Sequence, residues 1–191
     1  MRYQDPCGAV PAYQNREVDA LTALSSREFL AVLAYGVGVE RVAVEIESCE
    51  SNVGEARRFV RRTLGGWGLP KGDDLADRVV LAVSELVTNA VLHGRTRPLE
   101  ETETVGVALA LKRDFALGVM VTDNSCGIPL VKIRPSVSAI NGRGLVLVNA
   151  LSEGWTAAPH CSREGVSGKA VWAFFECPQL APLPELLPQS A

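Results

Sequence analysis

The chain has 191 residues, with 19 Lys and Arg against 22 Asp and Glu for a net charge of −3. That length fits one domain of ordinary size with chain to spare, and a hydrophobic content of 47% excludes wholesale disorder. The charge balance argues against a nucleic-acid partner gripped through global charge, and the longest uncharged stretch, Phe29 to Val39, is too short for the ~20 apolar residues of a membrane span.

At the start, Met1 to Pro6 shows no apolar run behind a basic opening, so no signal peptide is expected. Cys7, Cys49, Cys126, Cys161 and Cys177 are odd in number and widely spaced, against a disulfide framework. His160 and Cys161 are adjacent and lack a second ligand pair, so no zinc site is expected. A cytoplasmic protein is the expectation.

From Glu17 to Val37, apolar residues at Val18, Leu21, Leu24, Phe29, Leu30 and Leu33 predict a helix or two outside the main module. Arg41 to Glu47 alternates apolar and polar, the pattern of a half-buried strand. Asn52 followed by Glu55 looks like a capping box opening a helix whose stripe is Val53, Ala56, Val60 and Leu64 and which stops at Gly65-Gly66. A second helix is predicted from about Asp73 to His93, with acids at its start and Gly94 at its end. Val105–Leu111 and Phe115–Thr122 read as strands joined near Lys112-Arg113-Asp114. A short helix follows Gly144, and Lys169–Glu176 makes a last strand. Pro178 to Ala191 holds four prolines and predicts an extended tail.

These elements predict an α+β fold, a two-layer sandwich with helices on one face of a mostly antiparallel sheet. The expected division is a partly helical lead of residues 1–41, a module of 42–177 and a Pro-rich disordered tail of 178–191.

Three segments have residue types suited to chemistry. On the second helix Glu85 and Asn89 are four apart and share a face, where a carboxylate and a carboxamide can hold a hydrated Mg²⁺ and orient a nucleophile. The same spacing also fits a solvated helix face. Next, Val121-Thr122-Asp123-Asn124-Ser125-Cys126-Gly127-Ile128-Pro129 ends a strand on Asp123 and turns, which points a carboxylate at a cleft or makes a plain turn. Third, Asn141-Gly142-Arg143-Gly144-Leu145 feeds a helix N-terminus, where backbone N–H groups suit phosphate. Neither a dinucleotide fingerprint nor a P-loop matches it.

In this order, Glu-x-x-x-Asn on a helix, strand-Asp-x-Ser-x-Gly-x-Pro, and Gly-x-Gly-Leu before a helix resemble the nucleotide-binding boxes of the GHKL ATP-binding superfamily. The resemblance covers about residues 42–177. It is nearest to the anti-sigma-factor serine/threonine kinase branch, through Ala56-Arg57-Arg58-Phe59-Val60, Glu85-Leu86-Val87-Thr88-Asn89-Ala90-Val91, Gly142-Arg143-Gly144-Leu145, and Gly168 to Trp172. The resemblance implies a Bergerat-type ATP-binding fold with ATP and Mg²⁺ as cofactors. It implies that Asn89 coordinates the metal and that Asp123 accepts the adenine amino group. Gly127 would admit the base, Gly142, Arg143, Gly144 and Leu145 would close over phosphate, and Glu85 would be the general base. Lys169, where relatives of this type often carry a Gly-Thr threonine, faces either phosphate or solvent. His93 ends its helix as a structural or a catalytic residue.

The implied function is an ATP-dependent kinase that phosphorylates a Ser or Thr of a small antagonist protein and switches between it and a sigma factor, with homodimerisation possible. Arg57, Arg58, Arg61 and Arg62 offer an acidic partner a docking face, or make a solvated one. The alternative is a non-catalytic module that binds ATP as a regulatory ligand. The chain is too short for a gyrase-like machine and shows no long dimerisation helix pair of a histidine kinase.

Overall fold

A computed structural model describes residues 26–98, 100–127, 144–162 and 165–177. Its centre is a five-stranded antiparallel sheet in the order β1-β2-β3-β5-β4, from β1 (Glu40–Glu47), β2 (Thr104–Lys112), β3 (Ala116–Asp123), β4 (Gly154–Ser162) and β5 (Gly165–Glu176). Period-two alternation decides what each face buries. Val105, Val107, Leu109 and Leu111 of β2, Leu117, Val119 and Val121 of β3, and Val171, Ala173 and Phe175 of β5 share the main core. Against that core pack α2 (Val53–Gly66), α3 (Asp74–His93) and α4 (Gly144–Leu151). The α+β sandwich and its antiparallel sheet are those the sequence predicts.

Helix α3 is the axis of the helical layer. Eleven of its 20 residues are buried, so a polar side chain on its inner side needs a reason to be there. The Asp73 carboxylate accepts the Ala76 N–H at 3.0 Å and caps the first turn, as its sequence predicts. Helix α2 starts differently from expectation. A 3₁₀ turn, Glu50–Asn52, precedes it, and Asn52 has helical dihedrals (φ −85°, ψ −6°) and no side-chain cap. A capping box needs extended backbone at that residue. Here Asn52 Nδ2 instead donates to the Glu47 carbonyl at 3.3 Å, tying the turn back to β1. Arg57, Arg58, Arg61 and Arg62 are exposed on the outer side of α2.

Two features go beyond the sequence reading. Strand β4 has no clear signal in the sequence: Gly154, Pro159 and three alanine or threonine positions give it little strand character. It survives because it is an edge strand, where proline's missing N–H faces no partner. The other is the position of α1 (Ser26–Tyr35): the sequence predicts a helix here outside the main module, and it packs on the opposite face of the module's sheet. Phe29 and Leu33 there pack on Ala110, Ala116 and Phe174, and burying each of these two α1 side chains is worth about 1.5–3 kcal/mol. Leu33 occupies the space a Cβ on Gly118 would fill, with its Cδ1 2.5 Å from that position. Arg41 then caps the end of α1, donating from Nε to the Leu33 carbonyl and from a terminal nitrogen to the Ala34 carbonyl, both at 3.0 Å. Residues 17–25 of the predicted leading helix, and the Pro-rich tail, lie outside the described residues. No described helix is long and apolar enough to cross a membrane.

Candidate functional site

Glu85 and Asn89 sit half-buried on the side of α3 that faces the start of α4. Gly144, the first residue of α4, lies so close that a Cβ there would stand 2.9 Å from Glu85 Oε2 and 3.0 Å from Asn89 Nδ2. Two segments almost 60 residues apart therefore meet at one point. The first turn of α4, Gly144 to Leu147, has N–H groups without intrahelical acceptors, and its positive dipole end faces the Glu85 carboxylate. Acceptors on one side and donors on the other make a cradle suited to a triphosphate and its counter-ion. Among the described residues no group of three His, Cys, Asp or Glu side chains gathers to hold a metal unaided. The donor set, one carboxamide oxygen with a carboxylate nearby, fits Mg²⁺, which keeps waters and takes its other ligands from substrate phosphates. Gly142 and Arg143 lie outside the described residues; Leu145 packs against the main core.

Asp123 occupies the other end of the site. It is the last residue of β3, its side chain 5% exposed, and it points to the helical side of the sheet. Gly94, just past α3, explains how the carboxylate fits: a Cβ there would come within 2.5 Å of Asp123 Cβ and Cγ. Gly94 has φ −99°, so a close approach, and not a left-handed cap, is what demands glycine. Gly168 on β5 makes room for the Asp123 backbone, since a Cβ there would overlap the Asp123 carbonyl oxygen. After Asp123 the chain turns through two side-chain-to-backbone hydrogen bonds. Ser125 N–H donates to Asp123 Oδ1 at 2.9 Å, and Gly127 N–H donates to Ser125 Oγ at 3.2 Å. Gly127 is exposed at the end of this turn.

Lys169 takes neither orientation expected of it. It is the register partner of Asp123 across β3 and β5, and its Nζ lies 2.7 Å from Asp123 Oδ1. Its side chain is 9% exposed. The physical reason lies with Asp123: a buried carboxylate beside the negative, C-terminal end of α3 requires a cation, and the directly opposed residue supplies it. His93 is exposed at that same helix end.

A second buried carboxylate, Glu103, has no counterpart among the residues the sequence marks out. Its side chain is 2% exposed and sits in a cluster of donors. Both of its oxygens accept the Thr96 N–H at 3.1 Å, and Oε1 also accepts the Thr96 hydroxyl at 2.8 Å and Asn124 Nδ2 at 3.1 Å. Arg95 Nε, buried and without a hydrogen-bond acceptor, pairs with it at 3.7 Å. Burial pushes the Glu103 pKa up, but hydrogen bonds from Thr96, Arg97 and Asn124 outweigh it and hold the carboxyl below its ordinary 4.5. Glu103 thus fastens the segment after α3 to the residue that follows Asp123. Its only sequence signal is an acid preceding a strand, which is too common to single out.

A family model described as "Histidine kinase-like ATPase domain" matches residues 46–172 of the chain, a span that includes Glu85, Asn89, Asp123, Gly144 and Lys169. Among solved structures, the chain is similar to the histidine kinase domain from Erythrobacter litoralis EL346 blue-light activated histidine kinase, at 20% identity. That likeness covers 78% of this chain and 72% of the other, with a TM-score of 0.36. No curated protein matches it.

Proposed function

The chain belongs to the histidine kinase-like ATPase domain family, and from that premise we propose that it is an anti-sigma-type protein kinase. Membership implies ATP binding with Mg²⁺. The finer reading is that the γ-phosphoryl group passes to a Ser or Thr of a small antagonist protein, and that this transfer sets whether the chain holds the antagonist or a sigma factor. One observation carries it: the convergence of Glu85, Asn89 and the N-terminus of α4 at Gly144.

Mg-ATP supplies the activated phosphoryl group; the chain supplies position and charge. Asn89 offers its carboxamide oxygen to the metal. The N–H groups at the start of α4 face developing negative charge, which is where fixed dipoles lower a barrier most. Among the described residues Glu85 is the carboxylate beside them, placed to take the proton from an incoming hydroxyl. Asp123 at the far end accepts a hydrogen bond from the base, so the nucleotide is held at both ends. The exposed arginines of α2 suit an acidic partner surface, and a sigma factor is the proposed occupant.

The test is incubation of the full chain with Mg²⁺, γ-labelled ATP and candidate antagonist proteins. Label is expected on a protein hydroxyl with wild type and none with Glu85→Ala, which should still bind ATP. ATP bound tightly with no protein labelled by wild type would sink the kinase reading and leave a regulatory nucleotide-binding module.

A further inference from the structure

Asp123 and Lys169 do more than neutralise each other. The two protein donors on the Asp123 carboxylate, Lys169 Nζ at 2.7 Å and the Ser125 N–H at 2.9 Å, both use Oδ1. Oδ2 accepts none of the hydrogen bonds made by the described residues. The ammonium has three N–H donors. One is committed to Asp123, a second lies 3.5 Å from the Ser125 carbonyl, and the third has no acceptor among the described residues. Among the described residues a spare acceptor and a spare donor thus stand together on one ion pair, at the end of the site remote from Glu85.

The Watson–Crick edge of adenine presents the complementary pair, an amino donor at N6 beside a ring acceptor at N1. Guanine and hypoxanthine present the reverse, an acceptor at O6 beside a donor at N1. Resting on the nucleotide-binding reading above, we infer that Lys169 is a specificity-determining residue that donates directly to N1 of adenine while Asp123 accepts from N6. Burial supports this. The Lys169 side chain is 9% exposed and opposed to Asp123 in the strand register, so its ammonium stays beside the carboxylate instead of turning to solvent. Gly94, which has no Cβ, leaves room for the Asp123 side chain beside the end of α3.

Calorimetric titration of the full-length wild-type chain with Mg-ATP, and with a deaza-ATP in which C–H replaces N1, tests the contact directly. Losing a hydrogen bond from a charged donor should weaken binding about tenfold or more. In Lys169→Met, ATP should fall to the affinity of the analogue, and the two nucleotides should bind alike. If wild type binds both equally, Lys169 only balances the charge of Asp123 and the inference is overturned, while ATP binding stands. If ATP does not bind at all, the nucleotide reading itself falls, and this inference with it. Should the variant not fold, the two nucleotides on wild type still separate a base-reading lysine from a charge-balancing one.

Discussion

Helix α3 serves two ends of one site, and they are built on opposite plans. Midway along the helix, Glu85 and Asn89 are half-buried, and a glycine at a helix N-terminus is set against them. Nine residues beyond Glu85, about 13 Å along the axis, Gly94 at the end of the helix meets Asp123, which is buried and ion-paired. The first end has polar capacity held open by backbone; the second has charge held in place by charge. An open end is free to follow a group whose charge changes during reaction. A closed end suits a group that must only be identified. The division also predicts where mutations hurt: phosphoryl transfer at the open end, stability and recognition of the base at the closed one.

The largest effect expected is at the open end. Glu85→Gln keeps shape and removes the base, so phosphoryl transfer should fall by about 10²–10⁴-fold, with ATP affinity nearly unchanged by calorimetry. An equal loss of binding would break the division. At the closed end, Lys169→Met strands a buried carboxylate and should cost about 3–5 kcal/mol in urea unfolding. Adding Asp123→Asn should restore part of that; a double variant no more stable than the single would show that the pair is not what matters. Gly94→Ala places a methyl group against Asp123 and should cost about 1–3 kcal/mol, read as a drop in Tm. An unchanged Tm would mean that Asp123 can move aside.

The smallest effect concerns pH. Because the folded protein holds the Glu103 carboxyl below 4.5, its contribution is complete above that value and is lost as pH falls through the lower folded one. Tm should therefore decline below pH 4.5, and Glu103→Gln should flatten that decline. A variant with the same acid slope as wild type would assign the slope to other carboxylates.

Where periodicity is strong the sequence is easy to read. The stripe of α3 and the alternation of β2 and β3 each bury one side, and composition alone marks such a pattern. The carboxylate and carboxamide at 85 and 89 are legible because helical spacing puts them on one face. What escapes notice is what depends on tertiary neighbours. Pro159 hides β4, because only an edge position makes that proline harmless. Asn52 has the right type for a cap, yet the preceding 3₁₀ turn removes the extended backbone a cap needs. Lys169 looks like any lysine until the register sets it opposite Asp123, 46 residues away. Glu103 draws its donors from Thr96 and Asn124, whose approach no local pattern announces.

The glycine notch under α1 bears on where this protein can be cut. The family match runs from 46 to 172 and so leaves out α1 and most of β1. Yet Leu33 fills the notch at Gly118, and Phe29 stacks on Phe174 with ring centroids 5.9 Å apart. A fragment trimmed to the family limits would lose Phe174 along with α1 and bare a strip of sheet running through Ala110, Ala116 and Gly118, on the face away from α3. Fragments for expression or crystallisation should therefore begin before Ser26, or they will carry a sticky flat surface that the intact chain keeps covered.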